Sequence, residues 1–255
     1  MGTITLTNAR LNGTFTGTIT HEEIDITPPD TEPPPESNTT GLITNFKAAS
    51  GARYQVGGID CWNDNANKAW SIKQLDDYTL RFEVRQNDRY SSDPADSNRS
   101  EVVFYHGDFR PAGRELELSE TITVQPGPVS TASWMNLCQL HAEANSPPSP
   151  FYIELKTDTD KLQVIAQSPT DGWIQAYLAP KPIVRGKPMN LIYRVKMSPN
   201  DDSGYIRVWL DGEQIVDWSG RCGAMSGGYY WKLGAYRENV SETITVDHSH
   251  IALKG

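Results

Sequence analysis

Two short stretches carry the side chains best suited to proton-transfer chemistry: Cys138-Gln139-Leu140-His141 and Tyr229-Tyr230-Trp231-Lys232-Leu233-Gly234-Ala235-Tyr236-Arg237. Side chains alternate across a β-strand. Read as strands, the first stretch puts Gln139 and His141 on one face. The second puts Tyr230, Lys232 and Tyr236 on one face, with Gly234 leaving a gap between the last two. A histidine titrates near neutrality and can take or give a proton. A phenol can act as an acid or, once ionised, as a base. An amide and a cation beside them supply hydrogen bonds and charge. Lys232 and Tyr236 lie roughly 13 Å apart by strand rise, a spacing that suits an extended polymer better than a small molecule.

Arginines are grouped at Arg81, Arg85, Arg89 and Arg99. In Arg99-Ser100-Glu101, Arg99 and Glu101 share a face, so Glu101 could hold a guanidinium that binds a carboxylate bidentately. In Arg81-Phe82-Glu83-Val84-Arg85 the charged residues alternate with apolar ones, which equally describes a solvated outer face with an ion pair. His248 and His250 form a His-x-His pair that could be half of a metal site, but no neighbouring acidic or Cys residue in the sequence completes it.

The elements that must position these groups are strands. Strand-like runs recur at Tyr78–Val84, Ser100–Tyr105, Glu115–Val124, Ala132–His141, Phe151–Thr157, Lys161–Gln167, Met189–Met197, Tyr205–Leu210, Tyr229–Tyr236 and Thr243–Leu253, separated by turns such as Asp211-Gly212. No segment keeps a helical period; residues 65–72 are the best place for a single helical turn. Hydrophobic residues make up 37% of the 255, as expected of sheets with one wet face. The expectation is an all-β jelly-roll sandwich of two antiparallel sheets with a concave groove.

Ahead of this domain, residues 1–27 alternate Thr with apolar residues around an Asn12-Gly13 turn signal and read as a β-hairpin for attachment or self-association. Residues 28–40 hold five prolines within 28–35 and read as an extended linker. The globular domain is therefore expected over 41–255. The formal net charge of −9 argues against nucleic acid as a partner, although a local cationic cleft can sit on an acidic protein. No apolar run reaches membrane-spanning length. The first residues lack a basic and an apolar region, so no secretory signal is read in this chain. An extracellular or virion-borne setting is the expectation. Cys61, Cys138 and Cys222 form neither a disulfide framework nor a zinc pattern, and free thiols are expected.

With these residues in view, about 42–253 resembles the jelly-roll polysaccharide lyases of the heparin lyase I and glucuronan lyase group, and more distantly the alginate lyases. The matching segments run in the family's order: Arg81-Phe82-Glu83-Val84-Arg85, Arg99-Ser100-Glu101, Gln139-Leu140-His141, Val208-Trp209-Leu210-Asp211-Gly212 and Tyr230 to Arg237. The closing strand, Thr245-Val246-Asp247-His248-Ser249-His250, departs from the family pattern. The resemblance implies β-elimination on a uronic-acid polysaccharide, glucuronan-like, leaving 4,5-unsaturated ends. It implies Arg99 and Gln139 at the substrate carboxylate with His141 near it, either His141 as base with Tyr236 as acid or Tyr236 in both roles according to which face of the sugar carries the proton, and Lys232, Tyr230, Arg85 and Glu101 as substrate-binding or supporting residues. Relatives sometimes carry structural calcium, but no complete oxygen-ligand loop is legible, so no metal or cofactor is assigned. The partner implied is an acidic polysaccharide. The rival reading is a non-catalytic carbohydrate-binding module on the same fold, part of a phage depolymerase.

Overall fold

A computed structural model describes residues 41–104, 112–143, 149–170, 172–224 and 228–254. The hairpin and linker expected over residues 1–40 lie outside the described residues. Sixteen strands are described: β1 (Ile43–Thr44), β2 (Arg53–Val56), β3 (Ile59–Asn65), β4 (Ile72–Asp76), β5 (Thr79–Val84), β6 (Ser97–Phe104), β7 (Glu115–Val124), β8 (Met135–Ala142), β9 (Phe151–Lys156), β10 (Lys161–Ser168), β11 (Gly172–Leu178), β12 (Met189–Lys196), β13 (Tyr205–Leu210), β14 (Glu213–Ser219), β15 (Tyr229–Glu238) and β16 (Ile244–Lys254). Among the described residues there is no helix; the stretch expected to form one ends in a turn, in which Ser71 N–H donates to Lys68 O at 3.0 Å.

The strands build two antiparallel sheets in a jelly-roll-like fold. One sheet has nine strands in the order β1-β2-β3-β6-β15-β8-β9-β10-β11, the other seven in the order β14-β13-β12-β7-β16-β5-β4. Alternation explains why. In β5, Leu80, Phe82 and Val84 are buried while Thr79, Arg81 and Glu83 are half-buried on the outer face. In β10, Leu162, Val164 and Ala166 point into the core while Lys161, Gln163 and Ile165 do not. The apolar rows of the two sheets close on one core that includes Phe82, Leu118, Ile122, Leu140, Phe151, Tyr193 and Trp231. β6 is buried along its whole length, because its second face is covered by the polar cluster described below.

The core is not wholly apolar. Tyr193 Oη donates to Glu120 Oε1 at 3.0 Å, and His248 Nδ1 lies 2.5 Å from Glu120 Oε2. Both Glu120 and His248 are fully buried. His248 Nε2 sits 3.3 Å from the carbonyl oxygen of Gly234, which ties the seven-stranded sheet to the back of β15. His250 does not share this environment. It has a left-handed backbone (φ 53), lies where β16 slips register against β7, is exposed, and stacks on Tyr78 with ring centres 5.6 Å apart. The His-x-His alternation is thus broken, and the two imidazoles do not form half of a metal site. All three cysteines are buried and free.

Candidate active site

Registry across the nine-stranded sheet decides which side chains meet. In the β6–β15–β8–β9–β10 direction, Arg99 pairs with Tyr236, Tyr236 with Asn136, Asn136 with Glu154 and Glu154 with Gln163. One step along, Lys232 pairs with Gln139 and Gln139 with Tyr152, and a further step pairs Tyr230 with His141. Two bulges set these rows. The ladder between β15 and β8 slips between Leu233 and Tyr236, and that between β8 and β9 slips between Asn136 and Cys138. Leu137 and Cys138 are both buried in the core, while Asn136 and Gln139 both open on the other face. Gly234 has a φ of 143°, and a Cβ there would lie 2.3 Å from Ser100 O and 2.8 Å from Glu101 Cα. Only glycine lets β15 approach β6 this closely.

The result is a cavity of about 460 Å³ on the exposed face of this sheet. It is lined by Arg99, Trp134, Asn136, Gln139, His141, Ser149, Tyr152, Glu154, Ile165, Trp173 and Tyr236. The four residues that the resemblance placed at the reaction centre, Arg99, Gln139, His141 and Tyr236, all line it.

His141 stacks on Tyr230 at 5.0 Å, and its Nδ1 lies 2.7 Å from Ala142 O. A carbonyl only accepts, so Nδ1 carries the hydrogen and Nε2 keeps its lone pair. Burial, and then the charges of Lys232 and Arg99, lower the imidazole pKa to about 4. At neutral pH the ring is therefore an uncharged base.

Tyr236 is held between two neighbours. The Arg99 guanidinium carbon stands 3.6 Å from its ring centre, and Trp134 meets it edge-on at 4.6 Å. Burial raises the phenol pKa, against the pull of Arg99, so the phenol holds its proton at neutral pH.

Arg99 is not a bare cation. Its Nε and Nη2 grip Asp93 at 2.6 and 2.9 Å, and Nη1 donates to Glu101 at 2.5 Å. Burial opposes its charge, but Glu101 and Asp93 more than offset this and raise its pKa. Of five guanidinium N–H groups three are committed, which leaves two. The Gln139 amide donates to Glu101 at 2.7 Å and accepts from Ser149 Oγ at 2.9 Å, leaving one N–H. Glu101 thus supports both donors, as its spacing from Arg99 suggested, and contributes no lining surface of its own.

Lys232 is buried beside the site, with its Nζ 2.9 Å from Asp64 Oδ2. It does not line the cavity. The cation that acts on the Tyr236 phenol is Arg99; the charge of Lys232 acts on His141 instead. Arg85 belongs elsewhere. It follows β5 in the seven-stranded sheet, pairs with Glu83 at 2.6 Å and lies over the Trp70 ring at 4.0 Å. It does not line the cavity and takes the outer-face pairing that the same alternation allows.

Sequence reading passed over Asp93, Trp134, Asn136, Ser149, Tyr152, Glu154 and Trp173. Tyr152 and Glu154 lie on a strand that was legible, one position apart in alternation. Asn136 is hidden by the bulge, since counting by twos from Gln139 reaches Leu137. Asp93 sits outside any strand and carries no local signal.

The family model described as "Polysaccharide lyase" matches residues 45–252. Among solved structures, an alginate lyase from Pseudomonas aeruginosa is similar at 22% identity and a TM-score of 0.55, covering 74% of this chain and 87% of that one. An alginate lyase from Corynebacterium sp. is similar at 14% identity and a TM-score of 0.55, covering 84% and 92%. A family 7 alginate lyase solved in complex with substrate is similar at 12% identity and a TM-score of 0.54, covering 73% and 82%. At these identities the structural likeness speaks for the fold. The search of curated proteins returned no match.

Proposed function

The chain belongs to the polysaccharide lyase family, and on that premise we propose that it cleaves a polysaccharide at a 4-linked uronate, glucuronan-like at the cleaved unit, by β-elimination in the cavity between His141 and Tyr236. The observation that carries this reading is the opposite preparation of the two groups. His141 is an uncharged base with Nε2 open, and Tyr236 is a phenol that keeps its proton.

The reaction needs the C5–H bond to be acidified. The N–H groups left on Arg99 and Gln139 hydrogen-bond the C6 carboxylate and stabilise the charge that moves onto it as C5 loses its proton. His141 Nε2 takes that proton. The C5 electron pair forms the C4–C5 double bond, the C4–O4 bond breaks, and O4 takes the Tyr236 proton. The products are an unsaturated uronate end and a free hydroxyl, with imidazolium and phenolate left to exchange a proton through solvent.

Asp93 and Glu101 fix the guanidinium in place. Trp134 and Arg99 hold the phenol ring from two sides, so its oxygen is in position before substrate arrives.

Incubation with glucuronan and other uronate polymers, monitored by the ultraviolet absorbance of the new double bond, tests the proposal. Turnover by the parent is expected, with loss in both H141A and Y236F while oligosaccharide binding persists. Full turnover by Y236F would remove the acid from this scheme.

A further inference from the structure

The cavity has two unlike ends. Around Arg99, Gln139 and His141 it offers donors. Across β9 to β11 it is lined by Tyr152, Glu154, Ile165 and Trp173, and no cation lines that flank among the described residues. Glu154 stands in the same cross-strand row as Tyr236, two strands away, which is roughly 10 Å by strand spacing. Its Oε2 accepts from Gln163 Nε2 at 2.8 Å, and Gln163 Oε1 in turn accepts from Gln175 Nε2 at 2.9 Å. The carboxyl is therefore held upright by an amide ladder, and no described residue bonds its other oxygen. Between Tyr236 and Glu154 lies Asn136, buried, with Oδ1 lacking any partner. At the rim stands Trp173, 58% exposed and tilted against Tyr152 at 5.5 Å. An indole left that open at the rim of the cavity is a platform for the face of a sugar ring.

Resting on the lyase reading above and narrowing it, we propose that the flank formed by Asn136, Glu154 and Trp173 is a subsite for an uncharged sugar, a hexose or N-acetylhexosamine. The preferred polymer then alternates its uronate with a neutral unit. The second Glu154 oxygen is an acceptor that matches the hydroxyl or amide N–H groups of such a sugar. A second uronate placed there would bring its carboxylate against Glu154 with no cation to offset it, and like charges at close range are strongly disfavoured. Sulfated sugars are disfavoured for the same reason.

Full-length parent protein and Glu154→Gln are assayed on two probes, glucuronan and an unsulfated polymer alternating 4-linked glucuronate with N-acetylglucosamine. Glutamine keeps the shape and the Gln163 contact but removes the charge; equal melting temperatures establish equal folding. The parent is expected to show kcat/KM about tenfold or more higher on the alternating polymer, the scale of one unfavourable charge contact. E154Q is expected to close most of that gap by improving on glucuronan alone. A parent that prefers glucuronan, or a ratio unmoved by E154Q, overturns the subsite.

If neither polymer yields unsaturated product, the function proposed above fails for these substrates and the subsite is decided by calorimetry with tetrasaccharides of both kinds. Tighter binding of the alternating one, relaxed in E154Q, supports it. Equal binding, or none, overturns it.

Discussion

The Arg99 guanidinium carbon lies 3.6 Å from the centre of the Tyr236 ring, and the same two residues face each other in the β6–β15 ladder. One side chain thus does three things: it pairs with both Asp93 and Glu101, it covers one face of the phenol, and it keeps two N–H groups for a substrate carboxylate. Lysine cannot replace the planar fork. R99K is expected to fold and to lose roughly a hundredfold or more in kcat, the scale of a lost charge-stabilising donor. R99A leaves two buried carboxylates unpaired and is expected to lose about 3–5 kcal/mol of stability. Steady-state kinetics and urea melts separate the two effects.

The low pKa of His141 predicts the acid limb of the pH profile. A base with a pKa of about 4 is functional above that value and is lost as pH falls through it. The limb of kcat/KM should thus lie near 4, well below the usual histidine value of 6.5. A limb near 6.5 would show that another group is the base. The same shift has a sign for stability. The unfolded imidazole takes its proton first, so stability falls as pH drops from 6.5 toward 4 and then levels.

Lys232 gives an independent check on that assignment. Its charge is the second-largest influence lowering the His141 pKa, after burial, and Asp64 beside it acts in the opposite sense. K232Q removes the cation and leaves Asp64. The acid limb is expected to move up by about one unit, with the melting temperature reported alongside. A purely structural lysine would change the amplitude of the profile and leave the limb where it is.

Trp173 is exposed and lies on β11, three strands from the β8 strand that carries His141. W173A is expected to raise KM by about tenfold, from roughly 1–2 kcal/mol of lost ring contact, and to leave kcat within about twofold. A fall in kcat at constant KM would count against a platform role.

Much of the fold was legible because each sheet has one apolar face. β7 and β13 were read to the residue, and β5, β8, β10 and β12 to within a few. Of the strands left out, β11 has no buried residue and β4 has one. The reaction-centre residues were legible because Gln139 and His141, and Tyr230 to Tyr236, obey alternation. The reading stopped at the bulges and at ion pairs made over distance. Period-two counting cannot show that β8 turns both Leu137 and Cys138 inward. Nor can it show that Lys232 is committed to Asp64, 168 residues away in sequence. The histidine pair at 248 and 250 looked like one feature and is two, since a left-handed residue separates a core contact from a surface stack.

Gly234 carries the last expectation. A methyl group there meets Ser100 O and Glu101 Cα, both backbone, and the φ of 143° is poorly suited to any other residue. G234A is expected to lose about 2–4 kcal/mol, read as a lower melting temperature. Behind the same peptide, His248 meets the Gly234 carbonyl from the interior. Strand β15 is therefore clamped in front by its neighbour and behind by the opposite sheet. A protein built this way has little freedom to retune its chemistry from the middle. Adaptation to a new glycan would have to come from the periphery, where the β9–β11 margin can exchange side chains without disturbing the clamp.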